Sequence, residues 1–467
     1  MQAVVGATSF FARRLTSRPV AGVVRTAITL PTGTQLTRDV RGPTRTELAV
    51  SPAGRHLVFS ASTDGLDAKA RLYLRAMDQA EALPIPGTES ARAPCFSPDG
   101  QWVGFFTGGK LQKVPLSGGI QVRLCDLSGR PMGASWGPNG TIVISMQNGG
   151  LQHLGDGGGT PQDLTTRDPA TEATHRLPFF LPGGKAVLFT VMPHTFGVRG
   201  WIEAVSLDSG QRKVLVEDGT DARYVPTGHL VFVREGTLLA APFDPERLEV
   251  RGSAVAVAGG LLHAINDTHT ARNSGAGQYG FADWGALVYA SGGIFPDVER
   301  ELFWVDRRGR AEPVKSFGKK SFIFPRLSPD GQKLAYVTQG RNAHLWVHDL
   351  ARGTSSKLTS EGRASYPTCT PDGSRIAISF SLAGVGNIFW MPWDGSGPAE
   401  RLTTSKQDQF PASMSSDGRL LAFVEGSLTK GQDIYLLRMD SRQASPIVST
   451  NYRDAWPEFS PDRRWLA

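Results

Sequence analysis

The chain has 467 residues, 40% of them hydrophobic, with 54 glycines, 31 prolines and three cysteines. That balance favours many short strands joined by tight turns over long helices. The sparse, odd cysteine set (Cys95, Cys125, Cys369) contains no CxxC and argues against a disulfide framework or a structural zinc site. The net charge of +7 does not describe a nucleic-acid face: residues 1–50 hold seven arginines against Asp39 and Glu47, which is +5, so the other 417 residues carry only +2.

In chain order, the opening Met1–Ala12 is apolar but shorter than the ~18–20 residues of a membrane span, and Arg13-Arg14 closes it. A signal peptide places its positive charge before its apolar run, and here the order is reversed. Residues 1–19 therefore read as a basic and apolar leader, either the tail of a span whose beginning lies upstream or a frayed terminus.

From residue 51 a short phrase keeps returning. It reads Ser51-Pro52-Ala53-Gly54, Ser97-Pro98-Asp99-Gly100, Gly137-Pro138-Asn139-Gly140 and Leu181-Pro182-Gly183-Gly184. Weaker copies stand at Val225–Gly228 and Ala282–Gly285. The phrase sharpens again at Ser328-Pro329-Asp330-Gly331, Thr370-Pro371-Asp372-Gly373, Ser415-Ser416-Asp417-Gly418 and Ser460-Pro461-Asp462-Arg463. The steps are 46, 40, 44, 44, 57, 46, 42, 45 and 45 residues. A period of about 40–45 residues with short strands inside each unit is the signature of propeller blades.

One unit shows how a repeat becomes a blade. Tyr366–Thr370 reads as a first strand and Pro371-Asp372-Gly373 as its turn. Proline presets φ, aspartate caps the turn, and glycine takes the left-handed conformation. Gly54, Gly100, Gly140, Gly184, Gly331, Gly373 and Gly418 are assigned that turn role. Arg375–Phe380, Asn387–Met391 and Arg401–Thr403 supply the remaining three strands of a four-stranded antiparallel blade. Each such sheet leaves two apolar faces bare, so blades must stack on one another. Pro94, Pro178, Pro325, Pro367 and Pro457 each lie four residues before the turn, and are expected at the opening of strand one, the inner edge that lines a central channel.

The fold class is thus all-β, a propeller of four-stranded antiparallel blades. Ten copies exceed the 4–8 blades usual for one ring, and the chain stops inside the tenth. Two rings are expected, the second incomplete: 20–290 for the first propeller and 291–467 for the truncated second. The irregular stretch 252–283, which opens the spacing to 57, precedes their junction.

Little in this sequence carries catalytic chemistry. Gly275–Gly280 satisfies GxGxxG, yet it leads into a strand instead of a helix and reads as an inter-blade loop. His344 and His348 would share a strand face about 13 Å apart, too far to share a metal. No Gly-x-Ser-x-Gly elbow occurs, and neither do the kinase motifs. No catalytic residue, metal, cofactor or nucleic-acid partner is expected. One constellation stands out: Phe324, Tyr366 and Trp456 precede the inner-strand prolines, and Phe410 before Pro411 belongs with them, shifted by one residue. Four aromatics on adjacent blades would ring one channel mouth and could hold a peptide, sugar or apolar ligand, or else pack between the blades.

The Ser-Pro-Asp-Gly hairpins, the Leu358-Thr359 and Leu402-Thr403 strand ends and the period resemble the TolB-like, or WD40-like, propeller repeats of bacteria. Longer phrases are similar to the propeller region that follows a kinase domain, and usually a membrane span, in bacterial serine/threonine kinase proteins. They are Leu72–Arg75, Pro84–Glu89, Phe96–Trp102, Phe180–Lys185, Thr220–Tyr224 and Trp304–Arg307. The resemblance implies a non-catalytic sensor or interaction region that binds a protein, peptide or small ligand at its channel face. It also implies a cell-envelope location and a membrane tether upstream. The alternatives are a TolB-type envelope scaffold and the propeller part of a prolyl-oligopeptidase-like serine peptidase.

Overall fold

The computed structural model describes residues 3–7, 24–37, 45–63, 70–193, 200–265, 273–295, 299–338, 343–382, 384–427, 431–450 and 454–467. Among these residues there is no α-helix, only a single 3-10 turn at Pro182–Gly184 amid strands. The chain divides into two compact units. Of the described residues, the first holds those up to Asp168, Glu172–Pro193 and 200–295; the second holds those from 299 onward, with the short stretch Pro169–Thr171.

The first unit is a closed ring of six antiparallel sheets. From inner to outer strand, blade two runs Arg92–Phe96, Trp102–Thr107, Lys110–Pro115 and Val122–Asp126. Blades three, four and five begin at Pro131–Trp136, Glu172–Phe180 and Thr220–Val225 and follow the same order. Blade one starts at Leu48–Val50, and its second strand His56–Thr63 also pairs with Thr34–Leu36. Blade six is composite: Tyr279–Phe281 and Ala286–Ala290 are joined by Ala3–Ala7 and then Val24–Ile28. Ala3–Ala7 was expected in a leader outside the blades; instead it pairs along the free edge of Ala286–Ala290. A five-residue run of small and apolar residues has the length of a strand, and an unpaired edge is a ready template. The rest of the 1–19 segment, with the reading of it as a span remnant, lies outside the described residues.

Closure is visible in the packing. Six apolar cores each draw side chains from two neighbouring blades: Val58 and Leu72 with Val103 and Phe105, then Leu111 with Ile142, Val143 with Phe189, Leu188 with Phe232, Val233 with Tyr279, and Val288 with Phe59. The last core brings the ring back to its first blade.

The second unit contains three blades whose inner strands are Lys320–Leu327, Arg363–Cys369 and Gln409–Met414 (blades seven, eight and nine). Cores of the same kind join seven to eight and eight to nine. The outer face of blade seven is covered by Val314 and Phe317. Beyond blade nine a bridge between Phe459 and Leu466 closes one further hairpin.

The repeated phrase has one physical job. In Ser97–Gly100 the Gly100 N–H donates to the Ser97 carbonyl (2.9 Å), the Gln101 N–H to Asp99 Oδ1 (2.9 Å) and the Trp102 N–H to Ser97 Oγ (2.9 Å). Gly54, Gly100, Gly140, Gly184, Gly331, Gly373 and Gly418 have φ between +67° and +75°, where a Cβ is strained. The Leu-Thr strand ends have a second job. Thr165, Thr359 and Thr403, and Thr88 after Gly87 in the corresponding place, each accept through Oγ1 the N–H of the first or second residue of the third strand of the blade, at 2.8, 2.9, 3.0 and 3.1 Å. Thr359→Val should strand the buried Leu345 N–H and lower stability by about 1–3 kcal/mol in urea denaturation; an unchanged midpoint would show that the bond is dispensable.

The inner-strand prolines need a correction. Pro94, Pro178, Pro325 and Pro367 sit inside strand one and not at its opening. Each follows a residue in the left-handed region: Ala93 (φ 47°), Leu177 (54°), Phe324 (53°) and Tyr366 (51°). The ladder slips its register at those points, which makes a β-bulge. Proline's missing N–H is tolerated at a bulge, and the bulge turns the preceding side chain out of the strand's alternation. Asp221 (φ 49°) occupies the same place in blade five without a proline after it.

Candidate functional site

The six inner strands of the first unit enclose a cavity of about 250 Å³, lined from every blade. Pro52, Pro98, Pro226 and Asp283, from the strand-one turns, ring its mouth. Phe96, Trp136, Phe179, Tyr224 and Phe281 supply aromatic wall, and Cys95 contributes a thiol whose pKa burial pushes up to about 12, which holds it in the protonated form near neutral pH. Thr46, Leu177 and Asp221, at the level of the bulges, mark its deep end.

Below that level the channel is shut by polar groups that tie all six blades together. Arg45, entering blade one, donates from Nε to the Pro131 carbonyl of blade three. Gln278, entering blade six, donates to the Arg45 carbonyl and accepts from the Glu47 N–H (2.7 Å). Glu47, fully buried, accepts from the Ala93 N–H of blade two (3.0 Å). Asp221 of blade five accepts from the Gly277 N–H (2.9 Å) and Thr46 Oγ1 (3.2 Å), and Arg176 of blade four donates to the Asn273 carbonyl. The cavity is a blind funnel, open at the turn end.

One ion pair lies at its floor. Arg223 Nη2 stands 3.5 Å from Asp221 Oδ1, and the guanidinium lies over the Tyr279 ring at 4.1 Å. Burial raises the Asp221 pKa against the opposing pull of Arg223. Neither residue was singled out as a site from sequence. The available signal was positional: Asp221 falls where Phe324 and Tyr366 fall in their own repeats.

The four aromatics expected at a channel mouth do come together, on the inner edge of the second unit. Phe324 stacks on Tyr366 at 4.0 Å between centroids, and Tyr366 meets Phe410 at 4.9 Å and Trp456 at 5.6 Å. Trp456 is 57% exposed and also left-handed (φ 67°), while the other three are half-buried. Phe410 lacks the left-handed conformation because its bulge falls one residue later, between Pro411 and Ser413. Tyr366, Phe410 and Trp456 border a pocket of only about 30 Å³ beside Arg326.

Other groups resolve into structure. Thr165 Oγ1, His175 and Glu172 Oε2 stand in the order of a hydrolase triad at 2.7 and 3.0 Å. Thr165 is only 7% exposed, its hydroxyl accepts the Leu151 N–H, and Glu172 is clamped by Arg212, so no substrate can reach the oxygen. The Gly275–Gly280 segment is no open loop: Ala276, Gln278 and Tyr279 are buried in the floor of the funnel. His348 is buried against Ser316 and Ser355, and among the described residues no group of His, Cys, Asp and Glu could hold a metal ion. No helix among them is long and apolar enough to cross a membrane.

Fold and site define a class: a β-propeller whose inner strands frame a closed-bottomed funnel. Residues 296–467, which span the blades of the second unit, match the model of the TolB beta propeller domain family (PD40). A TolB homolog of Chlorobium chlorochromatii is 32% identical over 105 residues, 22% of this chain and 23% of that protein. An uncharacterized peptidase of Bacillus subtilis, YuxL, is 28% identical over 159 residues, 32% of this chain and 22% of that protein. The chain thus spans under a quarter of the length of either relative. Among solved structures, TolB from Acinetobacter baumannii aligns with 14% identity and a TM-score of 0.26 over 87% of this chain and 83% of its own.

Proposed function

We propose that this chain is a non-catalytic recognition module and that the funnel of the first unit receives a peptide segment of a protein partner. The observation that carries the reading is the blind, proline- and aromatic-lined cavity, which is concave, largely preformed and built from rigid strands. Supporting it, the one nucleophile–base–acid arrangement described above is sealed from solvent. A sensor role beside a membrane-linked kinase rests on the sequence phrases alone, and reading the coding sequence on both sides of this segment tests it. A kinase domain and span upstream would support that role; a Gly-x-Ser-x-Gly hydrolase segment downstream would replace it with the peptidase reading.

The test of the funnel is selection of random peptides, displayed with free N-termini, free C-termini or internally, against the purified chain. Ala134→Trp, at a half-buried wall position, should fill the cavity and abolish binding of the selected peptides while leaving the circular dichroism unchanged. Peptides that still bind would refute the site. The same preparation should show no labelling by a fluorophosphonate and no transfer from radiolabelled ATP. The aromatic cluster of the second unit is the secondary contact in this reading. Trp456→Ala should shift stability by only about 0.5 kcal/mol, as exposed positions do, and weaken partner binding; a large fall in melting temperature would make Trp456 a packing residue.

A further inference from the structure

We propose that the funnel takes the C-terminal end of a peptide chain, with the terminal carboxylate seated on Arg223. This rests on the reading of the funnel as a peptide site and specifies what it recognises. Three features carry it. First, the funnel has a floor. Glu47, Gln278 and Asp221 are 0%, 1% and 4% exposed and are held to residues of the neighbouring blades, so a chain cannot thread through and must either end inside or dip in a single side chain.

Second, the floor presents an under-used guanidinium. Arginine has five N–H donors in a planar fork that matches a carboxylate. Arg223 meets Asp221 Oδ1 at 3.5 Å, while the other Asp221 oxygen is taken by Gly277 N–H and Thr46 Oγ1. The guanidinium is braced from behind by the Tyr279 ring, and its side chain keeps 15% exposure toward the cavity it lines. Asp221 offsets much of its charge, so selection comes from the hydrogen-bonding fork more than from long-range attraction.

Third, the walls suit the residues that would precede such a carboxylate. Between floor and mouth they are apolar and aromatic (Phe96, Trp136, Phe179, Phe281), and aromatic faces pack on proline and aromatic side chains. At the rim the Asp283 carboxylate, whose pKa burial raises, disfavours a second acidic group there. The expected occupant is therefore an extended C-terminus of apolar or proline residues ending in a free carboxylate, and not an acidic loop.

The experiment uses the full chain and peptides selected from the C-terminally displayed library, resynthesised with a free C-terminus, with a C-terminal amide, and with an acetylated N-terminus. Amidation should weaken binding at least tenfold and acetylation should leave it unchanged. Arg223→Gln should weaken the free-acid peptide by a similar factor while removing the difference between acid and amide, and Arg223→Lys should restore part of it. The acid–amide comparison on the unmodified chain stands even if the variants fold poorly. Peptides that need the open funnel, being lost on Ala134→Trp, but bind equally as acid and amide would overturn this inference and leave the funnel reading intact. Absence of any funnel-dependent peptide would overturn both.

Discussion

Phe105→Ala should destabilise the chain by about 3–5 kcal/mol, the range for truncating a fully buried aromatic side chain. Phe105 is 0% exposed and lies on the second strand of blade two, where it packs with Val58 and Leu72 of blade one and Val103 and Val114 of its own sheet. The effect is large because the core it fills is also the contact between two blades, and a repeat sheet cannot bury its faces alone. Phe423, equally buried at the equivalent place in blade nine, should behave alike. Urea denaturation followed by intrinsic fluorescence measures both. A loss below about 1 kcal/mol at either position would mean that the sheets are not locked face to face as described here.

Stability should fall by about 3 kcal/mol as the pH is lowered from about 6.5 to 4, through His263. This imidazole is fully enclosed between blade five and the segment leading to blade six. Nδ1 accepts the Gly236 N–H (3.3 Å), so Nε2 carries the proton toward the Gly275 carbonyl (3.2 Å) and Thr220 Oγ1 (2.8 Å). Burial depresses its pKa to about 4. Below the ordinary value of 6.5 the unfolded chain takes up a proton that the folded chain refuses, so the stability present above that pH is progressively lost down to the folded pKa. Asp221 works in the opposite sense: its raised pKa means that folding opposes its charge, and acid relieves that strain. The measurement that isolates His263 is the difference in pH slope between the unmodified chain and His263→Gln. Parallel slopes between pH 4 and 6.5 would remove this histidine from the account.

Sequence alone determined the blade. The Ser-Pro-Asp-Gly turn, the alternating second strand and the Leu-Thr end are local devices, each satisfied within about forty residues, so their chemistry is written in the repeat and can be read without knowing what packs beside it. The four aromatics were legible for the same reason: their spacing from the turn places Phe324, Tyr366 and Trp456 at one height on successive inner strands, and the rings meet. What the repeat could not reveal is anything contributed by residues far apart in the chain. The bulge that holds Leu177 in the left-handed region keeps Pro178 inside the strand, and the same bulge at Asp221 forms without a proline after it, so the proline spacing alone did not reveal it. The funnel floor joins Arg45 to Pro131, Gln278 to Glu47 and Gly277 to Asp221, contacts of 86, 231 and 56 residues' separation. Ala3–Ala7 pairs with Ala286–Ala290 only because the ring returns to its start. Local turn chemistry fixed the unit; closure of six such units decided which side chains converge, because only there do distant residues share one low-dielectric, water-excluding space.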